Sequence, residues 1–475
     1  MKKASGLQPA FFRFERLPGG VLVTNDGGRW ALLKEKEFAA FAGGRVREGS
    51  ALYRRLLPLN FFRERLDLPA EEAGIKGLAS GLFSGPSLHI LVLTLRCNLA
   101  CVYCRASCGT GAGADMDWPT ARRSVDLAFS SPAAGITIEF QGGEALLNWP
   151  VLERAVDYAL SKNKRAGKDL AITVVTNLVL MDRAKLDFLV GRGVSVCTSL
   201  DGPADLHDAN RRRLGGGSHA LAEKWLKEIK RRARGGGKDS LPSALMTTTR
   251  LSLGREKEIV DEYRRLGLGG VFLRPLSPIG YAGSVWEEIG YPPSAFAAFY
   301  DKALSYIMRI NLAGERFVER NAALLARKIL SREDPNYLDL RSPCGAAAGQ
   351  LAYNWDGQVY TCDEGRMVGA RGDLLFRTGS CRDSSAADQA ASPASRLCAM
   401  ASCLESQHHC FRCAYKPYCG VCPVHNYETQ GSPWGNIAAG SWCAVQKGIF
   451  AAVFRRLSSP RERRVIESWI KGGGR

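Results

Sequence analysis

Three cysteines stand at Cys97, Cys101 and Cys104, a C-x3-C-x2-C spacing directly after the apolar run 88–95. Thiolates are ligands for soft and borderline metals. Three on so tight a loop can face one object the size of a small iron–sulfur cube, and they leave its fourth corner without a protein ligand. A structural zinc site closes its coordination with a fourth Cys or His. The bacterial ferredoxin run spaces its cysteines C-x2-C-x2-C, so the three-residue first gap departs from it.

A second set lies near the other end: Cys344, then Gly357 and Cys362, then Cys410-x2-Cys413-x5-Cys419-x2-Cys422, and finally Cys443. Two chemistries compete for these thiols, a zinc ribbon and iron–sulfur clusters. Five residues between two C-x2-C pairs leave little room for the ribbon hairpin, and Cys344, Cys362 and Cys443 are surplus to a four-thiolate tetrahedron. Cys108 and Cys197 read as plain buried or loop thiols. Among the six histidines, His408 and His409 beside Cys410 read as a metal ligand pair or a solvated loop. His207, near Asp201 and Asp208, is a candidate acid/base.

The elements that must position these residues follow from the hydrophobic pattern. Apolar runs at 88–95, 135–140, 170–176, 194–200, 241–248 and 270–274 alternate with helical periodicities at 120–130, 150–166, 182–191, 219–234 and 255–266. Alternating strand and helix predicts a parallel sheet with right-handed crossovers. Six such units are too few for a closed eight-stranded barrel, so the expected fold is α/β, a partial (β/α)6 TIM-like barrel over 86–310. Active sites of such barrels sit at the C-terminal ends of the strands. The loop Gln141-Gly142-Gly143-Glu144 ends the second strand, where two glycines let backbone approach a ligand closely. Asn177, Ser199, Asp201, Thr247 to Thr249 and Arg274 follow at successive strand ends, where they can reach one bound molecule or make structural hydrogen bonds.

Residues 1–85 read as a small α+β module, with strands about Pro18-Gly19-Gly20, a hairpin signal at Asn25-Asp26-Gly27-Gly28 and helices at 34–42 and 51–57. A bridging helix is expected at 315–330 within 311–343, a cysteine-rich domain over 344–450, and a helix with a basic tail over 451–475. The Ser/Ala-rich segment 379–395 reads as a poorly ordered insertion.

The chain has 475 residues, 45% of them hydrophobic, enough for two or three domains. Lys+Arg 65 against Asp+Glu 47 gives +18, which suits an anionic partner. Runs such as Arg211-Arg212-Arg213 and 230–234 are read as solvated helix faces, and no nucleic-acid-binding signature accompanies them. No run of about 18 apolar residues predicts a membrane span, and no signal peptide is expected. The odd count of 15 cysteines, with its close pairs, argues against a disulfide scaffold and for a reducing cytoplasm.

With these residues in view, the chain resembles the radical S-adenosylmethionine (SAM) enzymes, whose signature C-x3-C-x-aromatic-C it matches with Tyr103 as the aromatic. The resemblance implies a [4Fe–4S] cluster on Cys97, Cys101 and Cys104. Its open iron chelates SAM, which is cleaved to a 5'-deoxyadenosyl radical. It implies SAM contacts from Tyr103, Gln141, Gly142, Gly143, Glu144, Asn177, Ser199, Asp201 and Arg274. The C-terminal cysteines resemble the SPASM extension of radical SAM maturases, which binds two auxiliary [4Fe–4S] clusters. By that pattern Cys344, Cys362 and Cys422 serve the first cluster, and Cys410, Cys413, Cys419 and Cys443 the second. The family's last gap is three residues and here it is two. The first cluster's fourth ligand stays open among Cys381, Cys398, Cys403 and none.

Long stretches are also similar to the His-Xaa-Ser system radical SAM maturase B family. They include Phe12 to Arg16, Ser87 to Cys104, Ile138 to Glu144, Ser243 to Arg250, Pro417 to Tyr427 and Trp442-Cys443. This implies a ribosomally made precursor peptide as substrate, a second radical SAM maturase as partner, and an electron donor such as a flavodoxin or ferredoxin. Residues 1–85 would then be a winged-helix-like module that captures a leader peptide on a strand edge. The alternatives are a protein-modifying enzyme like the anaerobic sulfatase maturases, and a non-enzymatic zinc or iron–sulfur scaffold.

Overall fold

The structure, a computed structural model, describes residues 7–104, 114–233 and 242–471. An N-terminal three-stranded antiparallel sheet is formed by β1 (Arg13–Leu17), β2 (Gly20–Thr24) and β3 (Trp30–Leu33). β2 is buried on both faces: Val21 and Val23 belong to the module's own core with Phe41 and Phe61, while Leu22 enters the main core. The module is therefore packed onto the rest of the chain. Thr24 Oγ1 donates to the Ala414 carbonyl at 2.8 Å, and Tyr418 donates to the Gly28 carbonyl at 3.0 Å. A helix at Leu68–Leu78, capped by Asp67, completes it.

The central sheet contains β4 (Leu88–Val92), β6 (Gly135–Gln141), β7 (Asp169–Thr176), β8 (Ser195–Ser199), β10 (Ser243–Thr247) and β12 (Leu273–Arg274), parallel and adjacent in that order. Two short strands, β5 (Ala100–Cys101) and β9 (Arg211–Arg212), pair antiparallel outside it. β11 (Gly270–Val271) pairs with β13 (Val318–Glu319). Helices Trp118–Phe129, Trp149–Ala166, Arg183–Gly191, His219–Ala233, Glu256–Arg265 and Pro293–Leu312 follow the six barrel strands. Alternate strand residues such as Ile136, Ile138 and Phe140 pack into the main core. Their neighbours Thr137, Glu139 and Gln141 occupy the opposite, half-buried face, the barrel interior.

The cysteine-rich region joins this sheet. β14 (Gln350–Tyr353) runs parallel to β4, and β15 (Gln358–Tyr360) and β16 (Arg377–Ser380) extend it antiparallel. His89 on β4 and Tyr353 on β14 meet at 3.0 Å.

The helix expected at 315–330 begins at Arg320, because Glu319 is its N-cap and accepts from the amides of Asn321 and Ala322. Nor is 379–395 a disordered insertion. Ser385 caps helix Ala386–Ala390, and Ser392 caps helix Pro393–Ser402. Alanine has the highest helix propensity and serine is a preferred N-cap, so this composition encodes two short capped helices. The last described helices are Ser441–Leu457, packed along Pro293–Leu312, and Pro460–Lys471. Among the described residues no helix is long and apolar enough to cross a membrane.

Candidate functional site: the barrel mouth and its thiol clusters

Beyond β4 the chain turns into the three-cysteine loop. Cys101 lies in β5, opposite Arg211 of β9. The loop is pinned by Val102 N–H to the Asn210 carbonyl at 2.9 Å and Tyr281 N–H to the Cys104 carbonyl at 3.2 Å. Arg211 reaches Cys101 Sγ at 3.9 Å. Tyr103 is buried, and its hydroxyl donates to Asp201 Oδ2 at 2.5 Å. Asp201 also accepts from Arg211 Nε at 3.1 Å and Thr247 N–H at 3.2 Å. Both Tyr103 and Asp201 thus work behind the loop, fixing it to the tips of β8 and β10.

The Gly-Gly-Glu loop holds the other side. Gly143 N–H donates to Thr94 O at 2.8 Å and Glu144 N–H to Arg96 O at 2.9 Å. A Cβ on Gly143 would stand 2.2 Å from the Arg96 carbonyl oxygen, so the close approach of the two loops requires glycine. These amides are spent on the cysteine loop; an amino group bound here would donate to the loop's carbonyls instead. Glu144 is buried and accepts from Leu146 N–H at 3.0 Å, Thr176 Oγ1 at 2.7 Å and Asn177 N–H at 2.7 Å. Burial raises its pKa, against the pull of these three donors toward the carboxylate. The Asn177 side chain reaches Asn98 Oδ1 at 2.8 Å, tying the tip of β7 to the cysteine loop.

Gln141, Ser199 and Arg274 end β6, β8 and β12. Arg274 lines a cleft together with Tyr291, Asp339, Glu364, Cys422 and His425. The cleft therefore joins the barrel mouth to the C-terminal cysteines. Glu139, inside the barrel, was not picked out by motif reasoning. Its pKa is pushed up to about 7 by burial and by Asp363, against the opposing charge of Arg274. Its signal was an acid at an inward position of a barrel strand. His207 is buried behind Asp201. Burial lowers its pKa to about 4, and its Nδ1 accepts from Asp201 N–H at 3.3 Å. His408 and His409 are exposed. Cys197 is buried on β8, and Cys108 lies outside the described residues.

The C-terminal thiols form two groups. Cys344, Cys362 and Cys422 share one buried cluster with Met367 and Phe376. Cys410, Cys413, Cys419 and Cys443 line a separate cavity. Lys328, Lys416 and Lys447 stand near the second group and offset negative charge on its sulfurs. The N-terminal module closes over this group, with Arg13 Nε donating to the Phe411 carbonyl at 2.6 Å.

These sites fit iron–sulfur clusters. Burial pushes the Cys97 thiol up to about 12 and Cys101 up to about 11, so forming thiolates there needs the strong cation that a metal supplies. Asn98 Nδ2, beside the loop, is buried without a hydrogen-bond partner, a donor left for a ligand. Among the described residues, His219, Glu223 and Glu262 are the sole set of three or more potential ligands whose atoms lie within 4.8 Å of one another. Sulfurs around one zinc stand about 4 Å apart. The cysteine groups are more open, as a polynuclear cluster requires.

Residues 91–241 match the model of the Radical SAM superfamily. No curated protein sequence matches the chain significantly. Among solved structures, anSMEcpe with bound AdoMet and Kp18Cys peptide superposes with TM-score 0.66 at 18% identity, over 81% of this chain and all of that one. Streptococcus suis SuiB bound to precursor peptide SuiA superposes with TM-score 0.55 at 14% identity, over 90% of this chain and 98% of that one. At such identities the likeness establishes the fold. A [4Fe–4S] cluster and SAM are the cofactors that this domain implies. The match of residues 91–241 to the Radical SAM superfamily model thus falls in a chain whose fold is like that of anSMEcpe and SuiB.

Proposed function

We propose that the chain is a radical SAM peptide maturase that crosslinks or oxidises side chains of a ribosomally made precursor peptide of the His-Xaa-Ser type. The observation that carries this reading is the cleft lined by both Arg274 and Cys422. It runs from the barrel mouth to the C-terminal thiols. The peptides bound to anSMEcpe and SuiB support the same substrate class.

Cys97, Cys101 and Cys104 would hold the cluster that binds SAM, and the two C-terminal groups the auxiliary clusters. Together these cofactors supply a 5'-deoxyadenosyl radical that removes a hydrogen atom from the peptide, and an acceptor for the second electron. The chain's own residues do the positioning. Tyr103, Asp201 and Arg211 fix the cysteine loop, and Glu144 fixes the loop facing it. Asn98 Nδ2 offers SAM a donor, and carbonyls of the Gly-Gly loop can accept from its amino group. Forming a crosslink also releases a proton, and Glu139 inside the barrel takes it. Aromatic walls such as Tyr291 exclude water and stray hydrogen donors. At the edge of its sheet, β1 offers a strand for leader-peptide addition.

Co-expression with a His-Xaa-Ser precursor peptide, read by tandem mass spectrometry, tests this. A loss of two hydrogens per new bond supports crosslinking. A mass change confined to one Ser or Cys points to sulfatase-maturase-like chemistry, and an unmodified peptide contradicts the proposal.

A further inference from the structure

Cys398 lies outside every spacing pattern in the chain, on the helix Pro393–Ser402. It is fully buried, in the same apolar cluster as Cys344, Cys362 and Cys422. Its Sγ is 3.8 Å from Thr361 Oγ1, and that hydroxyl is 3.9 Å from Cys362 Sγ, so one hydroxyl stands between two sulfurs. One turn further along the helix, Ser402 Oγ accepts the Cys344 N–H at 2.8 Å and donates to the Cys398 carbonyl at 2.6 Å. Residues i and i+4 share a helix face. The face that docks on the Cys344 loop is thus the face that carries Cys398.

We propose that Cys398 is the fourth protein ligand of an iron–sulfur cluster held by Cys344, Cys362 and Cys422. This rests on the reading that the C-terminal cysteines hold clusters. The sulfurs form one electrostatic group: charge on Cys398 acts on both Cys344 and Cys362, and Cys422 acts on Cys362. The other unassigned thiols are elsewhere. Cys381 belongs to the main core, next to the Gly357 turn and Ser124. Cys403 is half-exposed and donates to Glu405 at 3.3 Å.

The consequence is functional. A cube with four protein thiolates has no iron free for a substrate atom, in contrast to the open corner above Cys97, Cys101 and Cys104. The peptide in the adjoining cleft then cannot ligate this cluster, which exchanges electrons without bonding to substrate. Two short capped helices inserted between Cys362 and Cys410 supply this closure.

The test is anaerobic reconstitution of the full chain with iron and sulfide, read by metal assay and by electron paramagnetic resonance after reduction. Wild type should hold about twelve irons for three cubes. Cys398→Ala should lose about four, show the signal of a three-iron cluster, or keep a three-thiolate cube with a shifted reduced spectrum. Cys381→Ala and Cys403→Ala should keep the wild-type content. If Cys398→Ala does not fold, Cys398→Ser keeps the shape of the site and replaces sulfur by oxygen, and its reduced spectrum should shift. Wild-type iron together with an unchanged reduced spectrum in Cys398→Ala, or an unchanged spectrum in Cys398→Ser, overturns the assignment. A wild-type chain that loads only about four irons overturns the underlying reading of the C-terminal cysteines instead.

Discussion

The hydroxyl of Tyr103 donates to Asp201 Oδ2 at 2.5 Å, which ties the aromatic residue of the cysteine motif to the residue just beyond β8. Arg211 binds the same carboxylate oxygen, and its guanidinium lies 5.1 Å from the centre of the Tyr103 ring. All three groups are buried, so removing the acid leaves an uncompensated cation. Asp201→Asn should destabilise the chain by about 3–5 kcal/mol and Tyr103→Phe by about 1–3 kcal/mol. Urea unfolding under anaerobic conditions measures both. Losses below about 1 kcal/mol in each would mean that this network does not hold the loop.

Gly143→Ala places a methyl group 2.2 Å from the Arg96 carbonyl oxygen and 3.0 Å from Cys97 Cβ. Backbone cannot yield that far without moving the cysteine loop. The variant should lose about four irons and SAM cleavage while keeping its C-terminal clusters. Iron assay with resonance spectroscopy checks this, and full retention of the first cluster would contradict the packing argument.

Two buried histidines set an acid limit on stability. His89 and His207 are both held down to about 4 by burial, from 6.5. Below 6.5 the unfolded chain binds protons that the folded chain refuses, so stability is full above that value and falls as pH drops toward 4. From pH 7.5 to 5 each histidine should cost about 2 kcal/mol. In His89→Asn the urea midpoint should depend less on pH over that window. A slope equal to wild type would show that His89 does not contribute.

Glu139 predicts a pH dependence of turnover. Its carboxylate form is required to accept a proton, and its pKa is pushed up to about 7. Peptide modification at saturating SAM should rise with pH through a midpoint near 7, and Glu139→Gln should lower the rate and flatten this limb. An unchanged profile in Glu139→Gln would assign the proton to another group.

The barrel strands were legible because each is a short apolar run closed by glycine, proline or a polar tip, and all six lie within a few residues of the expected limits. The cysteine spacings likewise announced their chemistry, since ligands on one loop are neighbours in sequence. What sequence left hidden is long-range. Asp201 and Arg211 are 98 and 110 residues from Tyr103 and Cys101, and no local pattern joins them. Cys398, one of three open candidates, follows the Ser/Ala-rich stretch 379–395, which reads as a poorly ordered insertion until its two N-caps, Ser385 and Ser392, are seen. The joining of β14 to β4 was hidden for the same reason, because strand pairing across more than 250 residues leaves no periodic trace.

The central claim is that the site at Cys97, Cys101 and Cys104 uses SAM to take hydrogen from a peptide. The direct measurement is made on the reconstituted, reduced enzyme with SAM and a precursor peptide deuterated at its side-chain carbons. The account predicts 5'-deoxyadenosine that carries deuterium from the peptide, and none from the Cys97→Ala, Cys101→Ala or Cys104→Ala variants. Undeuterated 5'-deoxyadenosine alone, or wild-type yields from those variants, would contradict it.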